Sequence, residues 1–176
     1  MLTVERVRSL FDYDPATGEF RRRVKMGNQP AGCRPGTTMP NGYLTISVDG
    51  RHCLAHRLAW FYVHGEWPHP YIDHIDRDRQ NNAIANLRIA TQSQNNANMG
   101  LPKDNKSGVK GVWWEASRQR WTARIRKDGR IHHLGRFISI EEAAAAYAAA
   151  SSRMFGEFGG FVGDPPRVPP AIVELF

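Results

Sequence analysis

Apolar residues near the start of the chain recur at helical spacing, with Val4, Val7, Leu10 and Phe11 on one side. Thr3 can cap this segment and Glu5 complements its first turn, so a short amphipathic helix is predicted. After FDYDPATG, whose Pro15 and Gly18 mark a turn, Glu19 to Val24 (EFRRRV) carries a strand pattern. Residues 26–42, with four Gly and three Pro, read as a loop. YLTISVDGRHCLAHRL then predicts two strands joined at Asp49-Gly50, a strong hairpin signal. Tyr43, Thr45 and Ser47 fall on one side of the first strand and Leu44, Ile46 and Val48 on the other. Leu54, Leu58, Phe61 and Tyr62 return to helical spacing, and Gly65 ends that run. A short strand is expected around Tyr71 to His74. From Ala83 onward, and more firmly over residues 93–99, the residues allow helical turns.

Gly100 to Ser107 (GLPKDNKS) is polar, with Gly and Pro, and reads as a linker. VKGVWWEA, RWTARIRK and RIHHLGRF follow as three strand-like runs separated by SRQ and DG. In the middle run Trp121, Ala123 and Ile125 alternate with Thr122, Arg124 and Arg126, so one face suits a helix and the other is basic. ISIEEAAAAYAAASSRMFG predicts an Ala-rich helix ending at Gly156, with Ile140 near its start and Ala144, Tyr147 and Ala148 available to a sheet. The Pro-rich tail is expected to be irregular, with Ile172, Val173, Leu175 and Phe176 able to dock back on a surface. The expected organisation is α+β, with modules at 1–99 and 108–161, a linker at 100–107 and a tail at 162–176.

Charge narrows the choice of partner. The chain has 176 residues, 41% of them hydrophobic, a formal charge of +7 and a pI near 9.8. That length and composition can bury a core without staples. The charge suits a polyanion, because Lys and Arg release condensed counterions from phosphates. Residues 101–160 hold 11 Lys and Arg against 6 Asp and Glu, and residues 1–100 hold 12 against 9, so the excess is denser in the later part. Cys33 and Cys53 are too few for a zinc ribbon and suggest no disulfide scaffold, so buried free thiols are expected. No stretch approaches the roughly 20 apolar residues of a membrane span. The reading is a soluble cytoplasmic protein with double-stranded DNA as partner, no membrane and no obligate protein partner.

YIDHIDRDRQNNAIANLRIATQSQN, residues 71–95, carries the chemistry. Phosphodiester hydrolysis needs a proton acceptor for the attacking water and a divalent ion to neutralise charge. Asp73 offers a hard oxygen ligand for Mg²⁺ or Mn²⁺, and the carboxamide of Asn95 offers a second. His74 is an adjacent base, pointing the other way if the segment is a strand. Asn81 and Asn82 read as turn chemistry. His52, His64 and His69 read as surface or structural residues.

The order IDHID, then twelve residues from His74 to Asn86 in ANLR, then nine more to Asn95 in TQSQN, resembles the HNH family of ββα-metal nucleases, particularly phage and intron-encoded homing endonucleases. FDYDPATGEF, GYLTISVDGRHCLAHRLAW and GEWP extend the resemblance over roughly residues 10–97. It implies a nuclease of a phage or its bacterial host, with one Mg²⁺ or Mn²⁺ per active site held by Asp73 and Asn95. His74 would activate water, and Asn86 would pin the loop by side-chain to backbone hydrogen bonds. His56 and Arg57 match the family's HRL run. His56 is left open between supporting the fold and a phosphate, and Arg57 is a candidate to reach DNA.

SGVKGVWWEASRQRWTARIR, LGRFISIEEAAAAYAAAS and FGEFGGF resemble the Apetala/ethylene-response-factor DNA-binding domain, which also occurs fused to phage HNH nucleases. The resemblance implies a three-stranded antiparallel sheet packed on one helix, with the sheet entering the major groove. It implies DNA-facing roles for Lys110, Trp114, Arg124, Arg126 and His132, and phosphate contacts for Arg118, Arg130 and Arg136. Lys110 and Trp113 stand where that family commonly has Arg, and the asparagine of its C-terminal motif is missing around Gly159-Gly160. Trp121, Leu134, Phe137 and Tyr147 are expected in the core, and Trp113 is open between core and DNA. Two competing classes remain at this point: a DNA-binding regulator with a decayed nuclease module, and an RNA-binding protein. The second leaves the acid, imidazole and amide constellation unexplained.

Overall fold

The computed structural model describes residues 2–160. The chain forms two compact units that divide between Ala90 and Thr91. The Pro-rich tail lies outside the described residues. Among the described residues no helix is long and apolar enough to cross a membrane.

In the first unit, helix α1 (Val4–Leu10) starts where Thr3 accepts the Arg6 amide, and it buries Val7 and Leu10. Strand β1 (Phe11–Tyr13) follows at once and pairs antiparallel with β2 (Phe20–Arg22). The sequence pattern marked only the second of these strands. β1 is three residues of alternating burial, too short for periodicity to separate from the helix before it. A two-residue strand β3 (Thr37–Thr38) interrupts the expected loop and joins β4 (Leu44–Val48), which pairs with β5 (Arg51–Leu54). Asp49 and Gly50 both have positive φ, 47° and 77°, the geometry a two-residue hairpin turn requires. Helix α2 (Ala55–His64) ends at Gly65.

Strand β6 (Tyr71–His74) pairs with β7 (Leu87–Ala90). Residues 87–90 therefore form a strand where helical turns were expected, after a single 3₁₀ turn at Ile84–Asn86. LRIA is four residues, one of them charged, too short for periodicity to fix its state, and the neighbouring strand decides it. Ile72 and Leu87 join Val7, Phe11, Phe20, Ile46, Val48, Leu58 and Phe61 in one core. Burying side chains of this size stabilises by roughly 1.5–3 kcal/mol each, so the β6–β7 hairpin is anchored by its own apolar residues.

In the second unit, helix α3 (Gln92–Asn98) opens with a capping box between Thr91 and Gln94. Strands β8 (Val112–Glu115), β9 (Arg120–Lys127) and β10 (Arg130–Phe137) form an antiparallel sheet with β9 in the centre. Helix α4 (Ile140–Phe155) buries Ile140, Ala143, Tyr147, Ala150, Ser151 and Phe155. Its inner face is thus turned from the expected one, with Ala143 buried and Ala144 and Ala148 only half-buried. Small residues let backbones approach closely here. A Cβ on Gly111 would lie 2.5 Å from the Tyr147 ring and 2.2 Å from the Arg124 carbonyl oxygen, and Gly111 also has φ +66°.

Candidate functional site

β6 ends in Asp73 and His74, which are 4% and 5% exposed. Antiparallel register sets Asp73 opposite Arg88 and His74 opposite Leu87. Cross-strand partners share a face, and Arg88 donates from Nε (2.9 Å) and Nη2 (2.8 Å) to Asp73 Oδ2. The carboxylate is therefore held in place by a nearly buried guanidinium.

The loop after His74 is tied down by Asn86. Its Oδ1 accepts the Asp76 amide at 3.0 Å, and its Nδ2 donates to Asp76 Oδ1 and to the Asn81 carbonyl, both at 2.9 Å. Its own carbonyl accepts the Ile75 amide. The amide ends of one side chain thus span both limbs of the loop. Burial pushes the Asp76 carboxyl up, but hydrogen bonds from Asn81, Asn86 and the Asp78 amide together hold it below the usual range.

His74 Nε2 lies 3.3 Å from Asn82 Oδ1. Asn82 Nδ2 is committed to the Gln80 carbonyl at 3.1 Å, so Asn82 presents an acceptor to His74. A neutral imidazole then carries its proton on Nε2 and keeps Nδ1 basic. Asn82 is 2% exposed, and its carbonyl accepts the Tyr13 hydroxyl at 2.8 Å. The DPATG turn lies directly against it. A Cβ on Gly18 would sit 2.3 Å from backbone atoms of Asn82 and Ala83, at φ +76°, and the Ile84 amide donates to the Pro15 carbonyl. Asn81 is a turn residue as read from sequence, bonding Asp76 and the Ala83 amide. Asn82 also bonds the turn backbone, through Gln80, and in addition sets its Oδ1 against His74. The two asparagines are indistinguishable in sequence except that the apolar Ala83-Ile84 follows Asn82.

Two rings, His56 and Tyr43, pack against His74. His56 packs edge-on to His74 at 5.0 Å, and Tyr43 lies 5.0 Å from His56 and 6.0 Å from His74. The Arg79 guanidinium lies over Tyr43. Burial lowers the His56 pKa to about 3, helped by the charges of His74 and Arg57. Burial also lowers that of His74, against the Asn82 hydrogen bond and the Asp76, Asp73 and Asp78 carboxylates. Both imidazoles are neutral near pH 7, the state a proton acceptor needs. His56 Nδ1 is buried and makes no hydrogen bond among the described residues. Arg57, a candidate for DNA, donates to the Pro68 carbonyl at 2.9 Å and so braces the loop after α2. The structure brings Asp73, His74 and Asn86 together in the first unit. Asn95 lies on α3, in the second unit.

The second unit sorts the remaining candidates by sheet face. Trp121, Ala123 and Ile125 are buried, and Arg124 and Arg126 are exposed. Thr122 is buried despite its outward parity, because its hydroxyl donates to Glu115 Oε2 at 3.0 Å. Register sets Trp114 opposite Trp121, on the helix side, with the rings 5.3 Å apart. His132 is opposite Ile125 and shares that parity, whereas His133 is opposite Arg124 on the outer face. Trp113 is outward too, and the Arg124 guanidinium lies 4.8 Å over its ring. Arg118 and Arg136 both pair with Glu115, whose carboxyl is lowered by Arg136, Thr122 and Arg118 despite opposing desolvation. Arg130 is exposed at the β9–β10 turn. Lys110 does not extend from the sheet: its ammonium donates to the carbonyls of Asn96, Ala97 and Met99 at the end of α3. Leu134 and Phe137 are half-buried and Tyr147 is buried.

Asp73, His74 and Asn86 fall within the span that comparison with known families matches. The HNH endonuclease family model matches residues 53–97. Protein 3.8 of Escherichia phage T7 is 35% identical over 107 residues, covering 60% of this chain and 88% of that protein. The chain belongs to the HNH endonuclease family. Two uncharacterized HNH endonucleases of Acanthamoeba polyphaga mimivirus also match. L560 is 33% identical over 120 residues, 67% of this chain and 61% of that protein. L245 is 39% identical over 61 residues, 32% of this chain and 18% of that protein. No solved structure gives a significant match.

Proposed function

We propose that the protein is a divalent-metal-dependent DNA endonuclease in which His74 Nδ1 takes the proton of the water that attacks a phosphodiester. Asp73 and Asn95 would hold one Mg²⁺ or Mn²⁺. The donor set fits, since a buried carboxylate and a carboxamide offer hard oxygens, and the family match runs through residue 97 and so takes in Asn95. When bound, the ion supplies charge neutralisation at the phosphate and the leaving oxygen. His74 accepts the water proton while Asn82 holds its Nε2–H. Asn86 keeps the loop, and hence the imidazole, in register with Asp73. The products would carry 5′-phosphate and 3′-hydroxyl ends. One such site per chain nicks one strand, so a double-strand break needs two chains or two events.

The second unit would supply affinity through its outer sheet face. Trp113, Arg124, Arg126 and His133 share that face by register, and Arg130 stands at its edge. An Apetala/ethylene-response-factor-like mode of groove binding is supported by this arrangement of basic and aromatic side chains. Viral relatives support a homing or other mobile-element role in a phage or its host.

The observation that carries the catalytic reading is the buried His74, oriented by Asn82 on a loop pinned by Asn86. Nicking of supercoiled plasmid with Mg²⁺ or Mn²⁺ by wild type, and its loss in His74→Ala, is the expected result. If neither protein cuts with either ion, the nuclease reading fails. Equal cutting by both removes His74 as the base.

A further inference from the structure

Among the helices of the described residues, α3 is the weakest by its own sequence. QSQNNAN has seven residues, and isolated helices shorter than about 12–15 residues are marginal even when Ala-rich. Asn ranks low in helix propensity because its side chain competes for backbone groups. Its buried residues are Ala97 and Asn98, so it has little apolar surface to anchor it. Yet it carries Asn95, where a misplaced carboxamide oxygen would no longer meet a cation.

Besides its packing on α4 and the 3₁₀ turn Gly156–Gly159, α3 is held at both ends. The Thr91–Gln94 capping box satisfies the first turn. At the same end, Ser93 Oγ accepts the backbone amide of Asp128, the turn residue joining β9 to β10, at 2.9 Å. At the other end the Lys110 ammonium binds the carbonyls of Asn96, Ala97 and Met99. Those carbonyls have no partner within a helix, and a cation there also opposes the negative end of the helix dipole. Lys110 is itself fixed, since it lies between buried Val109 and Gly111, whose neighbours leave no room for a side chain. The departure from Arg at position 110 acquires a reason, because a compact ammonium with three donors can meet three converging carbonyls.

We propose that Lys110, assisted by the Ser93–Asp128 bond, is a positioning residue for Asn95: it fixes the helix that presents this carboxamide and thereby sets how well the carboxamide meets an ion. This rests on the reading of Asn95 as a metal ligand. The second unit then does more than tether DNA, because its sheet and the nuclease ligand share one rigid helix mount.

The test uses the full chain and three variants, Lys110→Met, Lys110→Arg and Asn95→Ala. Amide hydrogen exchange is read over α3, Mn²⁺ affinity by electron paramagnetic resonance, and DNA binding at low salt. Lys110→Met should lose protection at the Asn95 to Met99 amides and bind Mn²⁺ about 10-fold more weakly, the scale of losing an outer partner of a metal ligand. DNA binding should persist, and Lys110→Arg should restore part of both losses. Unchanged α3 protection or unchanged Mn²⁺ affinity in Lys110→Met overturns the proposal, provided Asn95→Ala weakens Mn²⁺ binding. If Asn95→Ala leaves Mn²⁺ affinity intact, the ligand reading fails, and with it the link from Lys110 to the metal. Should Lys110→Met unfold the second unit, seen as loss of DNA binding, Ser93→Ala decides instead. A smaller loss of α3 protection and Mn²⁺ affinity supports the proposal, and wild-type values overturn it.

Discussion

The two units treat their functional side chains in opposite ways. In the first, Asp73, His74 and Asn82 are almost wholly buried, with Asp73 Oδ2 held by Arg88 of β7, His74 Nε2 by Asn82, and the Asn82 amide by Gln80 in the loop. In the second, Arg124, Arg126 and Arg130 extend into solvent, and Trp113 is about one-third exposed beneath Arg124. The difference suits the proposed tasks. A base must meet a reacting atom within a fraction of an ångström, which only a preorganised setting provides. A phosphate contact needs charge and reach, and tolerates side-chain freedom.

Four variants probe that contrast, from the largest effect on function to the smallest. His74→Ala should lower the nicking rate by about 10²–10⁴-fold while leaving DNA affinity at its wild-type value in a gel-shift titration. A parallel loss of affinity would mean that the buried site also carries binding. Asn82→Ala removes the acceptor of the histidine proton. Leaving a buried group unpaired costs roughly 1–3 kcal/mol, so a 10-fold to 100-fold fall in kcat with little change in KM is expected, and a change confined to KM would argue against an orienting role.

The double variant Arg124→Ala, Arg126→Ala tests the exposed side of the contrast. Its DNA binding should weaken and the salt slope fall by roughly 1 to 2, with nicking unchanged at saturating DNA. An unaltered slope across several salt concentrations would remove the sheet face from the interface. The variant with the least effect on function bears on stability. His56 is buried neutral, with a folded pKa of about 3 against 6.5 unfolded. Below pH 6.5 the unfolded chain binds a proton that the folded chain refuses, so stability falls on acidification by about 1.4 kcal/mol per pH unit until about pH 3. His56→Phe should flatten that slope in urea melts between pH 6.5 and 4, and an unchanged slope would place the acid sensitivity elsewhere, His74 being the next buried neutral group.

Much of the fold could be read along the chain. Thr3, Asp49-Gly50 and Gly65 set element ends by local geometry, and the three strand-like runs and the Ala-rich helix appear near their expected positions. Asn86 forms side-chain to backbone bonds across the loop, as the resemblance implied. Other features were not legible. β7 was hidden because four residues are too few to show a period of their own. Trp114 and His132 fall on the helix side because register, not residue type, assigns a face. Lys110 caps a helix because α3 ends beside it, a fact of packing.

The sequence by itself determined the local elements and the ordered set Asp73, His74, Asn86 and Asn95, since caps, turns and periodicity depend on neighbours within a few residues. Only the tertiary structure decided the partners. Tyr13 reaches Asn82 across 69 positions, Asn82 then turns His74, and Asp128 reaches Ser93 across 35. A buried polar group must find a hydrogen bond or bear the cost of lost water, and which atom satisfies it is settled only when distant segments pack together.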